Sequence, residues 1–325
     1  YGSSNEGEAA QNWRRSVFHH MLESGDDEFR IDLMDCAHLD FPIIEDLSAQ
    51  GHRHYLAFVH RFGEAGTLGQ MDCFYSNWLT RRDGGFTNTQ IGALRDLVPL
   101  LALTVKSAQQ VDIVRTLGRV YLGRDASEQV LRGRISRGVT ERINAVLWFS
   151  DLRSSTAISE SISPDEIIPL LNDYAEASID AIYEAGGDVL KLIGDGVLAI
   201  FTGGDMSAAR RAALRAEHRF RLNISKLNAR RAGEGRPVTS AYVGLHVGEV
   251  FYGNIGSEDR LDFTVIGPAV NMASRMEALT KQVGRNVLLS RAFAERLEGE
   301  FALERVGEYP VRGFNDPIEL FAYEG

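Results

Sequence analysis

Residues 145–156 read AVLWFSDLRSST and residues 191–201 read KLIGDGVLAIF, and each segment carries an aspartate where an apolar run ends. The run AVLWF is short, continuous and apolar, which is typical of a strand covered on both faces. In the second segment, two apolar runs flank the turn GDG, which predicts a β-hairpin. The sequence therefore places Asp151 at the end of a strand and Asp195 in a hairpin turn.

Two carboxylates at converging strand ends can bind a hard divalent cation. Magnesium usually combines one or two carboxylates with substrate phosphates rather than a full cage of protein ligands. Each aspartate alone has an ordinary structural explanation, because Asp before Gly suits a hairpin and Asp after a strand suits a cap. Taken together, Asp151 and Asp195 predict a site for a nucleotide and its metal ions.

A third segment, DFTVIGPAVNMASRM at residues 262–276, reads as a strand, a Gly-Pro break and a helix that begins near Pro268. Asn271 and Arg275 are four residues apart, so they share one helical face near the N-terminus and can bind an anion there. Lys191 lies in a strand otherwise made of apolar residues, and a buried ammonium needs an acceptor. A solvated position remains the alternative for all three side chains.

The mixed order of strands and helices predicts an α+β domain with helices on one side of its sheet. A helix predicted at about residues 208–230 carries four arginines near its start, Arg210, Arg211, Arg215 and Arg219. We interpret these arginines as a solvated face and assign them no contact with nucleic acid.

The order of the three segments resembles the catalytic domain of class III nucleotidyl cyclases, which convert a nucleoside triphosphate to a 3′,5′-cyclic nucleotide and pyrophosphate. The resemblance covers about Glu141 to Tyr323 and rests on FSDLRSST, GGDVLKLIGDGVLAIF and DFTVIGPAVNMASRM in the family's order. It implies a ferredoxin-like α+β fold. It also implies catalysis with two magnesium or manganese ions per active site.

The resemblance assigns roles to individual residues at the metal and the base. It makes Asp151, Asp195 and the Leu152 carbonyl the metal ligands. It makes Lys191 and Thr264 the residues that read the purine, in the combination found in bacterial adenylate cyclases. Lys191 can donate to adenine N1 but meets a second donor at guanine N1, so ATP is favoured as substrate.

Further roles implied by the resemblance concern the ribose and the phosphates. Asn271 matches the residue that orients the ribose, and Arg275 matches the one that stabilises charge at the α-phosphate. Arg312, in YPVRGF, falls where many members have a lysine that contacts the terminal phosphates. Ser155 and Thr156 start a turn whose backbone amides are expected to meet phosphate.

In class III cyclases each active site is shared by two domains, and this chain has one catalytic domain. The resemblance therefore implies a head-to-tail homodimer with two equivalent sites. The expected function is an adenylate cyclase regulated by an N-terminal sensor. The alternative is a catalytically silent nucleotide-binding or sensor protein that acts through dimerisation.

The N-terminal part is expected to form a separate domain, because 325 residues exceed what one core usually organises. We predict a GAF-like sensor domain at residues 1–106, a helical or coiled-coil linker at 107–140 and the catalytic domain at 141–325. The GAF resemblance rests only on DGGFTNTQIGALRDLVPLLALTVKSA. From Leu94 onward, apolar residues recur about every 3.5 residues, which suits the seam of a dimeric coiled coil. The alternative is a single amphipathic helix that packs on its own domain. The apolar residues with this spacing are Val98, Leu101, Val105, Ala108, Val111, Val114 and Leu117.

Composition limits the classes of partner. A net charge of -10 argues against bulk binding to nucleic acid or an anionic membrane, so ATP binding requires local positive charge. No run of eighteen apolar residues is present, and Cys36 and Cys73 are too few for a disulfide framework. A cytoplasmic enzyme without a membrane span is therefore expected, and its sensor ligand is unknown.

Overall fold

The computed structural model describes residues 7–34, 41–63, 71–138, 140–297, 299–314 and 316–323, so Cys36 lies outside the described residues. The chain divides into two compact units, residues 1–114 and 115–325, and the division falls inside the predicted linker.

The first unit contains a three-stranded antiparallel sheet of order β1-β2-β3. Its elements are α1 (Gly7–Arg14), α2 (Val17–Ser24), β1 (Glu28–Asp32), α3 (Pro42–Ala49), β2 (His54–Arg61), β3 (Cys73–Thr80) and the start of α4 (Asn88–Leu122). One face of β2 packs on α2 and α3, and its other face packs on α4. The GAF-like assignment stays a prediction.

The first part of helix α4 packs on the sheet of the first unit. Val98 and Ala102 are buried, and Val98 shares a cluster with Leu56 and Phe58 of β2. From Leu101 onward the predicted seam is largely exposed, so a dimeric coil there stays a prediction. The exposed apolar residues of the seam are Leu101, Ala108, Val111, Val114 and Leu117.

Among the described helices, α4 is long and apolar enough to cross a membrane when judged by length and composition alone. Its most apolar window has a mean hydropathy of 1.3. The helix also contains Pro99, Lys106 and Asp112, which break any continuous apolar run.

The second unit is built on a sheet of eight strands in the described part of the chain, of order β10-β11-β9-β7-β4-β6-β5, with β8 paired to β7. Neighbouring strands are antiparallel except β7 and β9. After the end of α4, its elements are α5 (Arg124–Leu131), β4 (Thr140–Leu152), α6 (Ser155–Ser161), α7 (Pro164–Glu184), β5 (Asp188–Ile193), β6 (Gly196–Phe201), α8 (Met206–Gly233), β7 (Ala241–Gly256), β8 (Leu261–Ile266), α9 (Pro268–Val283), β9 (Val287–Ser290), α10 (Arg291–Ala294), β10 (Leu303–Tyr309) and β11 (Ile318–Tyr323).

Helices cover both faces of this sheet, which corrects the expectation of helices on one side. Trp148 of β4 packs on one face against Phe220 of α8, with ring centroids 5.8 Å apart. Leu147, the next residue along β4, belongs to the cluster on the opposite face with Ala269 and Ala273 of α9. Because side chains alternate along a strand, a continuous apolar run such as AVLWF supplies both layers.

The arginine face of α8 is only partly solvated, which corrects a second expectation. Arg210 is 8% exposed and donates to the Ala292 carbonyl at 3.1 Å. Arg211 and Arg219 are paired with Glu300 and Glu184.

Gly244 of β7 lets α9 lie directly on the sheet. A Cβ at this position would lie 2.6 Å from the Ala273 carbonyl oxygen and 2.8 Å from the Glu277 amide nitrogen. Both atoms belong to the backbone, so they can give way only if the whole helix moves. The close approach places the helix that carries Asn271 and Arg275.

Gly244→Ala is expected to destabilise the protein by about 2–3 kcal/mol, because the added methyl overpacks the contact between strand and helix. Urea unfolding followed by circular dichroism measures the loss. Gly204→Ala is the matched control, since a Cβ at Gly204 meets nothing within 4 Å. Equal stability of the two variants would contradict the close-packing argument.

Candidate active site

The two aspartates lie next to each other at the sheet edge formed by β4, β5 and β6. Ser150 pairs with Val197 of β6, and Ile193 pairs with Gly196 across a two-residue turn, which confirms the predicted hairpin. Gly196 follows Asp195 and lies against Asp151: a Cβ there would lie 2.9 Å from the Ser150 carbonyl oxygen and 3.5 Å from Asp151 Oδ1. A side chain at this position would crowd the Asp151 carboxylate.

The carboxyl groups of Asp151 and Asp195 interact directly. The pKa of Asp151 is raised to about 6, first by burial and then by the Asp195 charge and a hydrogen bond between the two carboxyls, while the Leu152 amide opposes the shift by donating to Asp151. Two carboxylates this close repel when both are ionised.

A hard divalent cation fits this pair. Asp195 Oδ2 is buried and lacks a hydrogen-bond partner among the described residues. A cation would supply that partner and offset the repulsion between the two acids. No cluster of three or more His, Cys, Asp or Glu side chains with metal-binding geometry occurs in the described ranges. Two carboxylates assisted by a backbone carbonyl such as that of Leu152 are the kind of partial ligand set that magnesium completes with phosphate and water.

A third acid lies near the pair and was missed from the sequence. Glu277 of α9 is 7% exposed, and its pKa is raised to about 7 by burial together with the charges of Asp151 and Asp195. A signal was present, because Ala273, Glu277 and Thr280 follow the three- and four-residue spacing of one helical face. A carboxylate on an otherwise uncharged stripe is unusual enough to be singled out.

Lys191 and Thr264, the predicted base-reading residues, lie on β5 and β8, which contact each other. The acceptor that Lys191 requires is Asp262, whose Oδ2 is 2.5 Å from the ammonium nitrogen. Thr264 is 5% exposed, and its Oγ1 has no hydrogen-bond partner in the described part of the chain. Asp262 was missed, although its position two residues before Thr264 predicts that both side chains share one face of the strand.

Asn271 and Arg275 lie on α9, the helix that was predicted to begin near Pro268 and does begin there. Asn271 is exposed. The Arg275 guanidinium is 5.6 Å from the Phe314 ring and lies against Gly313. Arg312 is exposed and directly precedes Gly313 and Phe314 in the loop between β10 and β11. The structure therefore brings Arg275 to the loop that carries Arg312.

The turn after Asp151 leads into α6, which begins at Ser155. The backbone of Thr156 lies in the first turn of that helix, and its side chain lies outside the described part of the structure. Backbone amides at a helix start favour anions, which is the chemistry predicted for Ser155 and Thr156.

The contacts found among the described residues link the predicted residues in three groups. Asp151 and Asp195 form the acidic group, Lys191 and Thr264 the base-reading group, and Arg275 faces the loop of Arg312. No lysine or arginine of the described residues is among the groups that shift the pKa of Asp151. Among the described residues, the charge that acts on Asp151 is therefore the negative charge of Asp195.

Comparison with known families gives one match over the second unit. The family described as the adenylate and guanylate cyclase catalytic domain matches residues 139–325. The chain is 36% identical to an adenylate cyclase of Anabaena cylindrica over 190 residues, which is 58% of this chain and 38% of the relative. It is 28% identical to adenylate cyclase 1 of Rhizobium meliloti over 189 residues, which is 57% of this chain and 28% of that protein. The chain thus spans well under half the length of these relatives.

Two solved structures resemble this chain over more than half of its length. The adenylyl cyclase CyaB from P. aeruginosa aligns with a TM-score of 0.54 at 25% identity, covering 57% of this chain and 96% of that one. A bacterial light-regulated adenylyl cyclase aligns with a TM-score of 0.58 at 25% identity, covering 73% of this chain and 66% of that one.

Proposed function

Because the chain belongs to the adenylate and guanylate cyclase catalytic domain family, we propose that it converts ATP to 3′,5′-cyclic AMP and pyrophosphate. The observation that carries the choice of ATP is the neighbouring pair Lys191 and Thr264, with the Thr264 hydroxyl buried and unpartnered among the described residues. Adenine offers an acceptor at N1 and a donor at its amino group. Lys191 can donate to the first, and Thr264 can accept from the second.

Asp151, Asp195 and the Leu152 carbonyl would hold two magnesium or manganese ions. When bound, such ions neutralise phosphate charge and lower the pKa of the ribose 3′-hydroxyl. The 3′-oxygen then forms a bond to the α-phosphorus, the bond to the β-phosphate oxygen breaks, and pyrophosphate leaves while the hydroxyl proton passes to solvent. In-line geometry favours this displacement.

The remaining residues bind and orient the nucleotide in this proposal. Asn271 holds the ribose so that its 3′-oxygen faces the α-phosphate. Arg275 donates to the α-phosphate as charge develops there, and Arg312 binds the terminal phosphates with its forked guanidinium. The amides at Ser155 and Thr156 add neutral donors to phosphate oxygens.

We also propose that two copies share each active site. No lysine or arginine of the described residues is among the groups that shift the pKa of Asp151, and in this proposal a second copy delivers Arg275 and the base-reading residues to the acidic group. Apolar side chains remain exposed next to the site, which a partner could cover. They are Leu192 and Ile193 beside the Asp195 turn, and Phe251 and Ile266 on β7 and β8. Because ATP is the substrate, we place the catalytic unit in the cytoplasm, under control of the N-terminal sensor.

The parent protein is expected to form cyclic AMP from ATP with kcat/KM at least about fiftyfold above that for cyclic GMP from GTP, since guanine N1 opposes the Lys191 donor. Chromatographic detection of both products, with magnesium and then manganese, measures the ratio. Asp151→Ala is the negative control for product formation, provided that it is shown to fold and to dimerise like the parent protein. Absence of either product with both metals would favour the alternative of a silent regulator that acts through dimerisation.

A further inference from the structure

We propose that Glu277 is an outer acidic residue of the metal centre, which raises the affinity of Asp151 and Asp195 for divalent cations without touching the ions. This inference rests on the proposed metal site. Glu277 is thereby assigned a positioning role in cation binding. Asn271 and Arg275 of the same helix are proposed to bind the nucleotide.

The location of Glu277 is fixed by the contact between α9 and β7. The Glu277 backbone lies over Gly244, which pairs with Phe149 of β4, and Asp151 is two residues further along the same strand. Residues two apart on a strand point to the same face and are separated by about 6.6 Å. Phe149 packs in the cluster that contains Ala273 of α9, so the side chain of Asp151 lies on the face that α9 covers.

Glu277 is a buried acid without a compensating partner in the described part of the chain. It is 7% exposed, and none of the ion pairs or side-chain hydrogen bonds found there involves its carboxylate. An uncompensated buried carboxylate costs free energy unless a positive charge is nearby. The charges acting on it are those of Asp151 and Asp195, which are both negative and make the cost greater.

A cation between Asp151 and Asp195 reverses this balance. Two ions bring more positive charge than the two aspartates carry, and the attraction acts across a buried region where screening is weak. Glu277 does not complete a three-acid cluster of metal-binding geometry, so its effect is exerted through space. An acid of this kind stabilises the loaded site and destabilises the empty one.

Mn²⁺ binding to the nucleotide-free protein, followed by electron paramagnetic resonance, tests the proposal without turnover. Glu277→Gln keeps the shape and removes the charge, and we expect it to raise the Mn²⁺ Kd at least about fivefold. The metal-free variant is also expected to melt at a higher temperature than the metal-free parent. Glu176→Gln, at an exposed position on α7, removes the same charge from the other face of the sheet and should change neither quantity.

A merely structural role predicts the opposite pattern, with a lower melting temperature and an unchanged Mn²⁺ Kd, and that result would overturn the proposal. Glu277→Asp retains the charge and should bind Mn²⁺ more tightly than Glu277→Gln; equal weakening of both variants would also overturn it. If the glutamine variant does not fold, Glu277→Met replaces it with the same expected loss. A parent that binds no Mn²⁺ would refute the metal site and this inference together, whereas a parent that binds Mn²⁺ without forming cyclic AMP would refute only the proposed activity.

Discussion

Replacing Asp195 with asparagine is expected to lower the rate of cyclic AMP formation by at least about a thousandfold. Asparagine has nearly the same shape, but a neutral amide is a weak ligand for magnesium or manganese. Loss of one of only two carboxylates removes the charge that holds the ions against the phosphates. The rate is measured with saturating ATP and each metal in turn, against the parent protein at equal concentration.

The same substitution should not weaken the fold, which separates lost chemistry from lost structure. The folded-state pKa of Asp151, about 6, lies above its ordinary value of 3.8, and Asp195 is one cause. The folded state therefore holds the Asp151 proton more tightly than the unfolded state does. The stability that Asp151 contributes in this way is fully present below about pH 4 and is lost as pH rises through about 6. In Asp195→Asn the neighbouring charge is gone, so less stability is lost across that window.

Thermal unfolding of the metal-free parent and variant from about pH 4 to pH 8 checks this expectation. The melting temperature of Asp195→Asn should match or exceed that of the parent at the alkaline end. A variant that melts lower at every pH would show that its inactivity reflects misfolding. Full activity in the folded variant would exclude Asp195 as a metal ligand.

Mixing the inactive variants Asp195→Asn and Arg275→Ala is expected to restore roughly a quarter of the parent activity. In a shared site, a heterodimer has one centre with both substitutions and one centre with neither. Random pairing makes about half of the dimers mixed, and each mixed dimer has one intact site of two. The measurement is cyclic AMP formation after the two proteins have been unfolded and refolded together, with heterodimers verified by differently sized tags.

The matched control is a mixture of Asp195→Asn and Asp151→Ala. Both substitutions fall in the acidic group, so every centre of every dimer stays damaged and no activity should return. Recovery in this control would point to contamination, or to a site in which Asp151 and Asp195 come from different chains. No recovery in the first mixture, with heterodimers present, would show that each chain builds its own site.

The local motifs could be predicted from the sequence because each is encoded by adjacent residues. An apolar run followed by Ser150 and Asp151 predicted the strand β4, and the turn at Gly194 and Asp195 predicted the hairpin of β5 and β6. The Gly-Pro break before Ala269 likewise predicted the start of α9. Side-chain periodicity and turn chemistry act over a few residues, so these elements need no knowledge of the rest of the chain.

Long-range packing decided what surrounds the predicted residues. Lys191 is paired with Asp262, which is 71 residues away, and only the contact between β5 and β8 identifies that residue as the acceptor. Arg210 was expected in solvent and is buried against a carbonyl 82 residues further on. A helical face can be read from spacing, but whether it meets water or another element depends on the tertiary fold.

The sequence by itself determined the family, the hairpin and strand-end positions of the two aspartates, and the residues that match the base-reading and phosphate-binding motifs. Only the tertiary structure decided that helices cover both faces of the sheet, that Asp151 and Asp195 share an electrostatic environment, and that Glu277 belongs to it. The physical reason is that residue type and spacing are local properties. Burial, pKa and charge compensation depend on which distant atoms exclude water from a group, and those atoms are brought together only by folding.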